Sequence, residues 1–474
     1  MDNPYIKSIK ATGIHGQFNI DVELLPGLNV LYGMNGRGKT TLLHLIANVF
    51  ELEFDRFKYL LFVGIEITLS NGSLLSILPA ESAESPVQVE LDGNHVAWYD
   101  ESERGAADRT MLRETLGNRP NYLPAFRSIL ERVRTDGLNQ SLSAQQQPEF
   151  ERIRITESRV NRHTEIRSSP RYIRADPAAA TTALKTVQCR QWFGKFVPIV
   201  RYPSIVEVVE RLESEFSNAE LEVASLERSM FTDFFIGTIK ALLNPQGHTT
   251  EQEFENLLGR IKAAVDVEED GYLEYQGEKA VQQLVDAIDS VKTHGTSAGA
   301  AEKRVLQLYA TILERRNSQR TQIFARIRKF EEAINKFLVD KTLHISETSR
   351  TPSERGRLRG IYVESENLHR YALTSLSSGE RQVLTMLFSA SRMSSSSGIF
   401  LVDEPELSLH VDWQRIVLSE LIAQAGQRQI IACTHSPEVG ADHEAAVQIF
   451  TPSPYSAHGP NLHDSDASIL DESL

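Results

Sequence analysis

The sequence predicts an α/β fold: a mixed sheet with a parallel core, split into two lobes by a large, mainly helical insertion. Three observations carry this expectation. The first hundred residues alternate apolar and polar positions with the period of strands, and the short apolar run Leu28-Asn29-Val30-Leu31-Tyr32 leads into a glycine-rich loop. Gly398-Ile399-Phe400-Leu401-Val402 and Gln429-Ile430-Ile431-Ala432-Cys433 are continuous apolar runs, the pattern of parallel strands covered on both faces. Between these lobes apolar residues recur at three- and four-residue spacing, as on helices with one buried face. At 474 residues the chain is long enough for two or three structural units.

Taken in order, Tyr5 to Ile9 and Phe18 to Val22 read as half-exposed strands, and Pro26-Gly27 turns the chain into the buried run at Leu28. Thr41 to Phe50 reads as a helix. Residues 59–78 and 86–98 read as further strands, with turns at Asn71-Gly72 and Asp92-Gly93. From about residue 105 the pattern becomes helical. Val208, Leu212 and Phe216, then Phe231, Phe234, Phe235 and Ile239, mark helices within 204–265. The stretch 301–340 is a long helix whose stripe is broken at Arg316 and Gln319, which predicts a helical hairpin packed on itself in preference to a short coiled coil. Asn139 to Pro148 is a polar loop, and Ser394 to Ser397 a turn. The expected organisation is an N-terminal lobe over 1–104, a helical insertion over 105–345 serving oligomerisation or partner binding, a C-terminal lobe over 346–450 and a disordered tail over 451–474.

Composition narrows the class. Hydrophobic residues make up 41% and charged residues 24%, the balance of a soluble globular protein. Cys189 and Cys433 are too few for a disulfide framework or a zinc site, and suit a reducing compartment. No signal peptide or membrane span is evident, so a cytoplasmic protein without a membrane partner is expected. Lys and Arg total 50 against 64 acidic residues, a net charge of −14, which on average repels nucleic acid. Residues 101–175 run against this, with fourteen Arg, no Lys and ten acidic residues. Solvated helices with paired charges explain that segment best, and nucleic acid stays open as a partner.

The chemistry lies in three motifs. Gly33-Met34-Asn35-Gly36-Arg37-Gly38-Lys39-Thr40 fits G-x-x-x-x-G-K-[ST] between a strand and a helix. Backbone N–H groups of Asn35, Gly36, Arg37, Gly38 and Thr41 are placed to wrap phosphates at a helix N-terminus. Lys39 would reach the β/γ oxygens of ATP, and Thr40 would ligate Mg²⁺. The second motif is a buried strand that delivers Asp403 and Glu404 at its carboxyl end, Asp403 for the metal and Glu404 as general base toward water. The third is Leu376-Ser377-Ser378-Gly379-Glu380-Arg381-Gln382, opening an amphipathic helix.

This last motif resembles the signature sequence of ABC-type ATPases. The resemblance implies an ABC-type head in which Ser377 and Gly379 contact the γ-phosphate held by another protomer. Pro405 to His410 stands at the family's D-loop, and His435 in Thr434-His435-Ser436-Pro437 at its switch histidine. Gly379 lies 24 positions before Asp403, which lies 32 before His435, both natural to such a head. The Q-loop glutamine is not assigned; Gln88 is a candidate. Lys39 and Asp403 are 364 positions apart, so about half the chain is inserted between the lobes.

Within ABC-type ATPases the sequence is most similar to the OLD-like branch, in which Tyr122-Leu123-Pro124-Ala125-Phe126-Arg127-Ser128 resembles a motif near the nucleotide. Arg127 is then either phosphate-facing or part of a structural ion pair. OLD nucleases carry a Toprim domain after the ATPase. Here 39 residues follow His435, and Asp464-Ser465-Asp466 sits in a polar tail, so no nuclease activity is expected. The chain resembles the standalone ATPase subunits of two-gene phage-defence systems, AriA of PARIS first and PtuA of Septu second. That resemblance implies a homo-oligomer, at least a dimer and up to a hexamer, a separate Toprim-type nuclease effector and a phage-encoded trigger protein. A DNA-binding repair ATPase of the RecF or Rad50 kind is the competing expectation.

Overall fold

The computed structural model describes residues 4–80, 85–100, 102–130, 142–143, 146–164, 177–243, 256–257, 259–261, 263–264, 300–346, 360–391 and 398–456. The chain divides into two compact units, Met1–Glu207 with Ser377–Leu474, and Val208–Leu376. The first unit is an α/β unit that holds two sheets.

The parallel sheet is made of β3 (Leu28–Tyr32), β8 (Asn121–Leu123), β12 (Phe400–Asp403), β13 (Ile430–Thr434) and β14 (Val447–Ile449). Its order is β14-β3-β13-β12-β8, with every pairing parallel. β12 and β13 are buried along their whole length, as their uninterrupted apolar runs require. The antiparallel sheet contains β1 (Ile6–Ile14), β2 (Phe18–Glu23), β4 (Gly64–Leu69), β5 (Leu74–Pro79), β6 (Val87–Leu91), β7 (Asn94–His95) and β15 (Ser453–Pro454), ordered β15-β2-β1-β4-β5-β6-β7. Parallel and antiparallel pairing thus fall in separate sheets and not in one mixed sheet. The turn between β6 and β7 places both Asp92 (φ 51°) and Gly93 (φ 77°) in the left-handed region, the geometry that Asp-Gly favours in a tight hairpin. Helix α1 (Lys39–Glu51) is buried almost all round, because its apolar residues share one core with both sheets.

Several expectations are corrected here. Phe54–Tyr59 is a 3-10 helix, and the strand expected from residue 59 begins at Gly64. Strand β8, only three residues long and bounded by Pro120 and Pro124, was not expected; it forms an edge of the parallel sheet. Ser453 and Pro454, assigned to a disordered tail, pair with Asn19 and Phe18 on β2. Ser394 to Ser397, Asp464-Ser465-Asp466 and part of the Asn139 to Pro148 loop lie outside the described residues.

Helices α2 (Glu103–Leu116), α3 (Arg127–Leu130), α4 (Gln147–Thr164) and α5 (Pro177–Phe193) fall within the first unit, so its boundary lies at 207/208 and not at 104/105. Buried ion pairs explain the attachment. Glu51, at the end of α1, is held by Arg201 and by Arg119, and Glu157 on α4 joins the same two arginines. Glu53 takes both arms of Arg152, while Glu149 takes Arg190 and Arg56. Arg154 pairs with Glu151, and Arg109 and Arg113 donate to main-chain carbonyls. The described arginines of 101–175 are therefore largely engaged inside the fold.

The second unit contains most of α6 (Ile205–Leu243), α7 (Ala300–Asn335) and a three-stranded antiparallel sheet of β9 (Lys341–Ile345), β10 (Ile361–Ser365) and β11 (Arg370–Tyr371). Helix α7 runs unbroken through Arg316 and Gln319, which corrects the hairpin expected within 301–340. It packs antiparallel on α6: Phe216 meets Phe324, Phe234 meets Tyr309, and Arg316 pairs with Glu227. The sheet places the second boundary at 376/377 instead of 345/346.

Candidate functional site

Strands β3, β13 and β12 lie side by side with Tyr32 level with Thr434, and Cys433 level with Asp403. One edge of the sheet therefore receives the loop after Tyr32, the pair Asp403-Glu404 and the turn Thr434-His435-Ser436. Ligands of open α/β sheets bind at this carboxyl edge.

The loop is an open cradle. Gly36 (φ 76°) and Gly38 (φ 88°) are left-handed, and nothing lies within 4 Å of where a Cβ would stand on either. That conformation strains any residue with a side chain. Asn35, Gly36 and Arg37 are exposed, and Gly38 caps α1, whose first turn carries Lys39, Thr40 and Thr41. The Lys39 ammonium is buried, donates to the carbonyls of Gly33 (2.6 Å) and Met34 (3.2 Å), and lies 3.8 Å from Glu404 Oε1. Thr41 Oγ1 is 3.1 Å from His15 Nε2.

Thr40 Oγ1 donates to Asp403 Oδ2 at 2.8 Å, although the two residues are 363 positions apart. Asp403 Oδ1 is buried and has no hydrogen-bond partner among the described residues. A hydroxyl and a carboxylate with an unsatisfied oxygen are hard donors of the kind Mg²⁺ takes, so these residues fit the ion. Burial raises the Asp403 carboxyl to about 6, against the Thr40 hydrogen bond and the charges of Arg127 and Lys39.

Glu404 follows with φ 49°, left-handed for a residue that is not glycine. Burial first, and the neighbouring Glu406 carboxylate second, raise Glu404 to about 7, while His435 pulls it down. His435 Nδ1 contacts Glu404 Oε2 directly and lies 3.2 Å from Glu406 Oε1. Glu406 in turn accepts from Thr434 Oγ1 (2.5 Å), the His435 N–H (3.1 Å) and the Ser436 N–H (3.1 Å). Sequence reasoning placed Glu406 in the D-loop and gave it no part here. Its signal was the spacing Glu404-Pro405-Glu406, a second acid two positions beyond the first.

Arg127 is neither phosphate-facing nor ion-paired among the described residues. Its guanidinium donates to the main-chain carbonyls of Pro124, Asp403, Glu404 and Pro405. Gln88 lies exposed on β6 and donates to Glu90.

Ser377 and Gly379 open a different helix, α8 (Ser378–Ala390). Ser377 is its N-cap in a capping box: Ser377 Oγ accepts the Glu380 N–H, and Glu380 Oε2 accepts the Ser377 N–H at 2.7 Å. A Cβ on Gly379 would stand 2.9 Å from the carbonyl oxygen of Ser408, so the residues after Glu404 pass directly against this helix end.

A family model described as "AAA domain, putative AbiEii toxin, Type IV TA system" matches residues 222–442, which include Ser377, Asp403, Glu404 and His435 but not the loop at Gly33. No curated protein matches significantly. Among solved structures, the Smc head domain with an extended coiled coil bound to the C-terminal domain of ScpA, from Pyrococcus furiosus, is similar at 12% identity and TM-score 0.38, over 95% of this chain and 96% of that one. The Smc head domain with a coiled coil and joint from Pyrococcus yayanosii gives 13% identity and TM-score 0.35, over 93% of each chain.

Proposed function

We propose that this chain hydrolyses ATP with Mg²⁺ at sites shared between copies, and that it is the sensor and scaffold subunit of an anti-phage defence complex. The observation that carries the hydrolytic part is the Thr40–Asp403 contact beside Lys39 and Glu404. Mg²⁺, when bound, neutralises charge on the phosphate oxygens. The amides from Asn35 to Thr41 hold the phosphates at the positive end of α1. Lys39 exchanges the carbonyls of Gly33 and Met34 for the β/γ oxygens. Glu404 takes a proton from water at its carboxylate, and a pKa near 7 suits a base that works near neutrality. His435, in contact with Glu404, senses the γ-phosphate. Ser377 and Gly379 present the α8 N-terminus to a triphosphate bound by another copy, which makes the working unit at least a dimer and a hexamer the larger form.

The defence role rests on the resemblance to AriA and, second, PtuA. In this account the chain has no nuclease of its own: it holds a separate, Toprim-type nuclease effector through its inserted helices and releases it when a phage protein is sensed. No helix among the described residues is long and apolar enough to cross a membrane. Expressed alone, the chain should be non-toxic and should not cut DNA or tRNA with Mg²⁺ or Mn²⁺. It should co-purify with the nuclease encoded beside it, and release should require Lys39 and Glu404. Tight, salt-sensitive binding to duplex DNA with no such partner would instead favour the repair ATPase.

A further inference from the structure

Arg127 is a fully buried cation at 0% exposure, and its acceptors are neutral main-chain carbonyls, three of them at the end of β12 and just beyond it. Nη1 donates to Asp403 O (3.0 Å) and Pro124 O (3.3 Å); Nη2 donates to Glu404 O (2.9 Å) and Pro405 O (3.1 Å). Three consecutive carbonyls around Glu404 are therefore gripped by one planar fork. The Glu404 N–H is held separately by the Cys433 carbonyl at 2.8 Å. Both peptide groups flanking Glu404 are thus fixed, and they fix a φ of 49°. A left-handed backbone at such a residue persists only where its surroundings over-determine it. Relaxing it would turn carbonyls away from Arg127 and leave a buried charge without acceptors, which is the costly alternative. The reach is set by the sheet. Arg127 begins α3 just after β8, and β8 is registered on β12 with Leu123 level with Val402.

We propose that Arg127 is a positioning residue for hydrolysis: by gripping the carbonyls of Asp403, Glu404 and Pro405 it aims the Glu404 carboxylate at the attacking water. This rests on Glu404 acting as the general base. A lysine keeps the charge but lacks the fork, so Arg127→Lys removes the grip with little change in volume.

The test compares the full-length wild type, Arg127→Lys, Glu404→Gln and the double variant in steady-state ATP hydrolysis, each below its melting temperature. Wild type should turn over ATP. Arg127→Lys should lower kcat by about 30-fold, since small misalignment of a reacting group is expensive, and should leave KM within about threefold. In the Glu404→Gln background the same change should alter the residual rate by less than about twofold, because there is no carboxylate left to aim. Equal kcat for wild type and Arg127→Lys would overturn the proposal. So would an equal loss in both backgrounds, which marks general damage to the fold. A wild type that binds Mg-ATP without hydrolysing it would fail at the first step, overturning the general-base assignment and the proposal with it.

Discussion

Between Gly33 and Thr41 the carboxyl edge of the parallel sheet is made from consecutive residues, mostly exposed, whose chemistry is main-chain N–H groups, open glycine conformations and one buried lysine. Between Asp403 and Ser436 it is made from carboxylates that are buried or nearly so, held by partners from distant parts of the chain. Thr40 comes to Asp403 across 363 positions, Arg127 to Glu404 across 277, and His435 to Glu404 across 31. The first region needs only local sequence to hold an anion. The second needs the tertiary fold to aim a base, so it should be more sensitive to substitutions outside its own motif.

The largest effect should separate the two regions outright. Lys39→Ala should weaken ATP binding by at least about 100-fold in calorimetry, because the ammonium is the cradle's one buried cation toward the phosphates. Next, Ser377→Arg should abolish hydrolysis in the assembled protein while leaving ATP affinity of the isolated chain within about threefold, if Ser377 serves a site on another copy as proposed. Affinity lost with hydrolysis would mean that Ser377 belongs to its own chain's cradle. Glu406→Gln should then cost about 10-fold in kcat, with ATP affinity unchanged. It weakens the acceptor of Thr434, His435 and Ser436 without touching the phosphate loop.

The smallest effect lies outside both regions, in the ion pairs that bind 105–207 to the head. Burial alone would raise Glu53, but the hydrogen bonds and charge of Arg152, with Arg190 and Arg56, lower it to about 2 from an ordinary 4.5. Below 4.5 the unfolded chain therefore binds the extra proton, so stability rises with pH in this window. The contribution of Glu53 is complete above 4.5 and is lost as pH falls toward 2. Glu53→Gln should flatten the acid limb of a urea-denaturation series over that range. An unchanged acid limb would mean that the cluster does not anchor the segment.

The same contrast explains what was legible from the residues. The strand into Gly33, the loop itself and the apolar runs at Phe400 and Ile430 announce themselves because each is a contiguous pattern with one local cause. Asp403 and Glu404 were readable for the same reason, at the end of a buried run. The roles of Arg127 and Glu406 were not, since nothing near either residue says which carbonyls or N–H groups it will meet. Strand β8 escaped because three residues between prolines carry no period, and its identity comes from pairing with β12. The boundary at 207/208 escaped because α2 to α5 have the helical spacing of an insertion, while the ion pairs of Arg152 on α4 and Arg190 on α5 to Glu53 are long-range. In α7, Arg316 looked like a break in an apolar stripe; its partner Glu227 lies on the other long helix.

The most direct test of the account is ATP binding and single-turnover hydrolysis by wild type and Glu404→Gln, measured side by side with Mg²⁺. Glu404→Gln should bind ATP with wild-type affinity, hydrolyse it at least about 100-fold more slowly, and accumulate as a closed, ATP-bound dimer in light scattering. Equal hydrolysis rates for the two proteins would contradict the account, because the carboxylate at the end of β12 would then have no part in the chemistry.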